Sequence, residues 1–162
     1  MKRVLFLGDS LLVLRGFPTR ARQRAGYQLE RVQRGLEPES WKPLAAIGAG
    51  VREIRVRDQT GAFRVEVPTM RRRRYRDVWE AIEGPGREAA SLRARSALMV
   101  EISELIRRSS WTQRQAAARF GVTQPRISDL MRGRIDLFSL DTLVDMAEAG
   151  GLKPRMTVKR AA

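Results

Sequence analysis

Residues 111–133, W-T-Q-R-Q-A-A-A-R-F-G-V-T-Q-P-R-I-S-D-L-M-R-G, read as two short helices joined by a tight turn. Thr112 is placed to cap the first helix. Gln115, three residues on, completes a capping box that satisfies two otherwise orphaned backbone N–H groups. Ala116, Ala117 and Phe120 give an apolar face with small residues where two helices approach closely. Gly121 falls where the first helix must stop and the chain reverse, a position that favours a residue free to take positive φ. Thr123 is expected to cap the second helix, and Pro125 to lie in its first turn, where a missing N–H costs nothing. Ile127, Leu130 and Met131, at i, i+3 and i+4, make the inward face. Gln124, Arg126, Ser128, Asp129 and Arg132 are left pointing outward.

Two capped helices, a glycine turn and a polar outer face on the second helix form the pattern of a DNA-binding helix-turn-helix. A purely structural hairpin also needs caps, a glycine and apolar faces. It does not need amide and guanidinium groups on its outer face, which are the groups that pair with base edges. The wording T-Q-x-x-A-A-x-x-F-G-V-T-Q-x-x-I-S-x-L-x-R-G resembles the Cro/C1-type (XRE) helix-turn-helix family. In such a motif the second helix enters the major groove with its N-terminal end closest to the bases. Gln124 suits bidentate pairing with adenine N6/N7, and Arg126 suits either guanine O6/N7 or phosphate. Gln113, with the N–H groups at the start of the first helix, suits a backbone phosphate. Thr123, Pro125 and Ser128 belong to the same DNA-binding set. Asp129 either accepts from cytosine N4 or balances neighbouring arginines. Arg132 and Arg134 read as backbone anchors.

The chain has 162 residues, room for one ordinary domain or two small ones. Its 32 Lys and Arg against 18 Asp and Glu give a net charge of +14. The excess is spread along the chain, 13 against 7 in residues 1–69, 10 against 6 in 70–110 and 9 against 5 in 111–162. A basic balance distributed in this way favours a polyanion, and nucleic acid is the simplest one. No apolar run approaches the ~18 residues needed to span a bilayer. Cysteine and histidine are absent, which excludes disulfides and zinc sites built on thiolate or imidazole. The commonest general base is missing with them. The opening M-K-R-V-L-F-L-G-D-S-L-L-V-L-R-G imitates a signal peptide, but Gly8-Asp9 interrupts its apolar stretch and no A-x-A-like cleavage site follows. It is expected to be a strand and a helix of a cytoplasmic protein.

Arg3 to Leu7 is a β-favouring run, and Leu11 to Arg15 a short helix capped by Ser10 and closed by Gly16. A longer helix is expected from Pro18 to Arg34, with Ala21, Ala25, Leu29 and Val32 inward and Gly35 as its stop. After a turn-rich stretch over Glu37 to Gly50, V-R-E-I-R-V-R-D (51–58) and A-F-R-V-E-V (62–67) alternate across Gln59-Thr60-Gly61 as a β-hairpin. The wording F-P-x-x-A-R-x-x-A-G-Y-Q-L-x-R-V-Q-R-G, then W-K-P-L-x-x-I-G-A-G-V-R-E-I-R-V-R-D, then G-A-F-R-V, resembles a RelE-like toxin of the HigB (phage Gp49-like) type. The resemblance implies a ribosome-associated mRNA endonuclease. Its further strand and Lys-rich C-terminal segment, which carry catalytic positions, have no counterpart here. Arg52, Arg55, Arg57 and Arg64 remain on the strands, where they read as a solvated face rather than as groups that touch RNA or phosphate.

From Met70 on, the chain resembles a HigA-like antitoxin: R-Y-R-D-V-W-E-A-I-E-G is similar to its leader, and Ala89 to Lys159 follow its pattern. Asp77 is placed to cap a short helix presenting Val78, Trp79 and Ile82. Gly84-Pro85-Gly86 is a break. The run Arg71, Arg72, Arg73, Arg74 is a candidate basic arm lying on phosphates or in a minor groove, or a solvated charge run. A long helix from Ala89 to Ser109 carries the stripe Leu92, Leu98, Met99, Ile102, Leu105 and Ile106. Ser139 caps a last helix, Leu140 to Ala149, with Leu140, Leu143, Val144 and Ala147 inward. Gly150-Gly151 stops it, and Leu152 to Val158 is expected to be a strand that pairs with its copy or caps an edge.

The expected fold is therefore α+β. A truncated RelE-like segment (strand-helix-helix-hairpin, residues 1–69) is followed by a basic linker with a short helix (70–88). A five-helix XRE domain with a C-terminal strand (89–162) completes it. The expected function is an antitoxin-type autorepressor of a toxin–antitoxin operon, a homodimer on a palindromic double-stranded operator. A RelE-like toxin is a further candidate partner, and no membrane, cofactor, metal or catalytic residue is implied. The alternative is a ribosome-dependent mRNA interferase silenced by its own fused antitoxin. The front segment should be the less stable half unless the back half covers it.

Overall fold

The computed structural model describes residues 4–6, 8–44, 51–59, 61–67, 74–75, 78–84 and 86–155. The chain is mixed α+β, with seven α-helices and a three-stranded antiparallel sheet among these residues and the helix-turn-helix helices towards the C-terminal end. Strand β1 (Val4–Leu5) leads into α1 (Ser10–Arg15) and α2 (Thr19–Gln33). Strands β2 (Trp41–Pro43), β3 (Arg52–Asp58) and β4 (Gly61–Val67) follow, ordered β2-β3-β4, with Trp41 opposite Ile54 and Val65 opposite Ile54 on the other side. The hairpin closes more tightly than the sequence suggests, Gly61 already pairing with Asp58. A two-residue strand β5 (Arg74–Tyr75) returns to pair with β1. Helices α3 (Val78–Glu83), α4 (Arg87–Arg108), α5 (Gln113–Phe120) and α6 (Gln124–Met131), a 3-10 turn (Ile135–Leu137) and α7 (Leu140–Ala149) complete the chain.

Several local expectations change. Ser10 is already inside α1; Asp9 takes the N-cap position and makes no side-chain cap bond. Trp41–Pro43, in the turn-rich stretch, gains a strand because it is pulled into register with Arg52–Ile54. Residues 152–155 are not a strand. Residues 156–158 of that expected element lie outside the described residues, as do Asp77 and Arg71 to Arg73.

The organising helix is α2, and its partners come from both halves of the chain. One side packs on β3, where Ile54 and Val56 are buried, and other sides meet α3, α4 and the 3-10 turn. An amphipathic surface helix would bury one stripe. Instead α2 buries Ala21, Ala25, Tyr27 and Leu29 together with Gln23, Gln28, Glu30, Arg31 and Gln33. Such polar burial is tolerable only with partners, and α3 and α4 supply several of them. Trp79 Nε1 donates to Glu30 Oε2, while Arg34 donates to Glu30 Oε1 from Nε at 3.0 Å and Nη2 at 2.7 Å. Arg22 forks onto the Glu83 carboxylate at 2.9 and 3.0 Å. Arg24 forks onto Asp136, in the 3-10 turn, at 2.7 and 2.9 Å. Gly26 lets the Trp79 ring sit against the helix backbone. One contiguous core runs from Leu14 to Ala147 across both halves, so the front segment is covered by the back.

Candidate nucleic-acid interface

The local chemistry of 111–133 sets the geometry of the helix pair. Thr112 Oγ1 accepts from Gln115 N at 3.2 Å, and Gln115 Oε1 accepts from Thr112 N at 2.9 Å, a complete capping box. Gly121 ends α5 in the left-handed region at φ 63°, and Val122 N donates back to Ala117 O. Ala116, Ala117 and Phe120 are buried, as are Ile127 and Leu130; Met131 is half-buried. Thr123 takes the N-cap position of α6 with extended backbone, but its side chain makes no cap bond. Pro125 lies in the first turn, as its missing N–H requires.

The starts of α5 and α6 come together. Gln124 Nε2 donates to Gln113 Oε1 at 2.5 Å, and both side chains are exposed. Thr123, Pro125 and Arg132 are exposed as well. Gln124 keeps its own amide oxygen and one amide hydrogen outside this bond, the donor–acceptor pair that adenine N6/N7 matches. The remaining residues of the expected set are more engaged. Arg126 is half-buried, its guanidinium carbon 4.1 Å over the Phe138 ring. Asp129 accepts from Arg134 Nη1 at 2.9 Å. Ser128 is half-buried. Of the candidate basic arm, Arg74 has its backbone in β5 opposite Leu5; Arg71, Arg72 and Arg73 fall outside the described residues. Two exposed cations on α5 escape the sequence reading, Arg114 and Arg119, the latter 4.4 Å over the Trp111 ring. Their signal is in the sequence, since both lie on the polar side of the first helix opposite Ala116, Ala117 and Phe120.

The front half approaches this motif from the other end. A Cβ on Gly133, just beyond the C-terminus of α6, would lie 2.5 Å from Tyr27 Cδ1 and 2.6 Å from Gln28 Nε2. Helix α2 thus seats against the exit of α6, whereas Gln113 and Gln124 mark its entrance. Three of the four strand arginines of the front half are engaged within it, Arg52 with Glu37 at 2.5 Å, Arg55 with Glu53 at 2.8 Å and Arg64 with Glu53 at 3.9 Å, while the Arg57 side chain is exposed. The Arg55 hydrogen bond and nearby Lys42 and Arg64 hold the Glu53 carboxyl below its usual range.

Residues 85–159 match the family described as a helix-turn-helix domain. The chain carries a helix-turn-helix domain. Residues 13–74 match a second family, described as phage-derived protein Gp49-like. No curated protein matches the chain. The helix-turn-helix domain points to DNA binding, and the Gp49-like segment to a toxin–antitoxin system. No helix among the described residues is long and apolar enough to cross a membrane.

Proposed function

We propose that the chain is a sequence-specific, non-enzymatic DNA-binding regulator, an antitoxin-type repressor of its own toxin–antitoxin operon acting as a homodimer on a palindromic site. The observation that carries this reading is the Gln113–Gln124 amide pair, exposed at the joined starts of α5 and α6 while α2 occupies the exit of α6. In the proposed complex α6 lies in the major groove and Gln124 reads adenine. Gln113 holds Gln124 in its rotamer and, with the α5 N–H groups, meets a phosphate. Arg126, stacked on Phe138, serves phosphate rather than a base edge. Arg132, Arg114 and Arg119 add salt-dependent backbone contacts. Asp129 keeps Arg134 in place. The Gp49-like segment acts as a structural part of the repressor, its Arg52 engaged with Glu37 and its Arg55 and Arg64 with Glu53.

Footprinting on DNA upstream of the chain's own gene tests the reading. Protection of one palindromic site is expected; absence of protection contradicts it. Expression of the full chain without growth arrest is expected if the Gp49-like segment has no nuclease activity, and arrest would contradict the non-enzymatic part.

A further inference from the structure

The seven-residue strand β4 is an edge, paired among the described residues with β3 alone. The register decides which of its backbone groups face outward. Arg55 N donates to Ser40 O at 2.9 Å and Leu44 N to Val51 O at 3.0 Å, so the odd-numbered residues of β3 turn their peptide groups to β2. The even-numbered ones then face β4, where Ile54 meets Val65 and Val56 meets Phe63. Ala62, Arg64 and Glu66 are left with their N–H and C=O directed out of the sheet. Their side chains are exposed, while Phe63 and Val65 are half-buried on the opposite face, Phe63 lying 4.8 Å from the Phe17 ring. The other edge is blunted in the way natural edges are, because β2 is three residues long and ends on Pro43. β4 is neither short nor interrupted.

We propose that β4 pairs antiparallel with β4 of a second copy of this chain, in the register centred on Val65, forming a two-fold dimer with a continuous sheet. Charge complementarity selects that register. It sets Arg64 opposite Glu66 of the partner subunit and Glu66 opposite Arg64 of the partner subunit, both as hydrogen-bonded pairs, with Val65 meeting its own copy on the axis. Moving the axis to Arg64 or to Glu66 sets like charges directly opposite, which is destabilising. Among the two-fold registers of this strand, the one centred on Val65 alone sets opposite charges directly across from each other. The inference does not rest on the DNA-binding reading, since the pairing needs no DNA.

Light scattering on the full chain without DNA tests it. A dimer is expected for the native sequence. Arg64→Glu and Glu66→Arg, each placing like charges across both pairs, give monomers with unchanged far-UV circular dichroism, and the double substitution restores the dimer. Val65→Cys provides a second arm, because the chain has no cysteine. A non-hydrogen-bonded pair brings Cα atoms to ~4.5 Å, within disulfide reach. Mild oxidation therefore yields a covalent dimer that reduction reverses. A monomeric native chain overturns the proposal, as does a dimer that Arg64→Glu leaves intact, or a Val65→Cys chain that fails to cross-link.

Discussion

A Cβ on Gly26 would lie 2.6 Å from Cζ3 of Trp79, an aromatic ring that is fully buried and cannot swing away. Gly26→Ala is therefore expected to cost ~1–3 kcal/mol through overpacking, read as a lower denaturation midpoint in urea. A second residue-scale effect concerns Glu39. Burial raises its carboxyl from 4.5 to about 7 despite Arg31 and Arg107 nearby, and Oε2 is buried without a hydrogen-bond partner. Arg107 is shifted up: burial opposes its charge, and the bond to Glu39 outweighs that opposition. A carboxyl whose folded value lies above its unfolded one binds more protons when folded, so its stabilising effect is complete below pH 4.5 and is lost as pH rises through about 7. Stability should decline between those values by roughly 3 kcal/mol from this group. Glu39→Gln should flatten the decline; urea midpoints across that range that fall equally in both proteins would rule the cause out.

Among the elements, those whose signals are local are legible in the amino-acid sequence. The capping box at Thr112, the turn at Gly121, the proline in the first turn of α6 and the cap of α7, where Ser139 Oγ accepts from Thr142 N at 3.1 Å, each need only neighbours three or four residues away. Thr112→Ala should cost ~1 kcal/mol in thermal or urea unfolding. Helix α2 is the opposite case. Its sequence suggests one inward stripe, Ala21, Ala25, Leu29 and Val32, yet Glu30 and Arg31 are buried and Val32 is half-buried. The reason is that its partners lie far along the chain: Trp79 for Glu30, Glu83 for Arg22, Asp136 for Arg24. Arg22 and Arg24, outside that stripe, form ion pairs across the junction of the two halves. Within the candidate site, the exposed glutamines are visible in the pattern. The stacking of Arg126 on Phe138 is not, since nothing local brings residue 138 under residue 126.

At the scale of the molecule, the covering of α2 by α3, α4 and the 3-10 turn joins both halves into one core. Unfolding should be a single cooperative transition, and hydrogen exchange should protect α2 amides as strongly as those of α4; early exchange of α2 alone would mean the halves open separately. The link between halves is testable at Asp136, whose side chain is 5% exposed and holds Arg24. Asp136→Ala should cost ~3 kcal/mol by leaving a desolvated guanidinium unpaired. The same arrangement keeps the front half at the exit of α6 and leaves its entrance to DNA. The most direct measurement is the affinity of the full chain, by fluorescence anisotropy, for the upstream DNA of its own gene, compared between the native sequence and Gln124→Ala. Specific binding is expected, weakened by Gln124→Ala by ~1–3 kcal/mol at that site while binding to unrelated DNA is unchanged. Equal loss on every sequence, or no specific binding by the native chain, would contradict it.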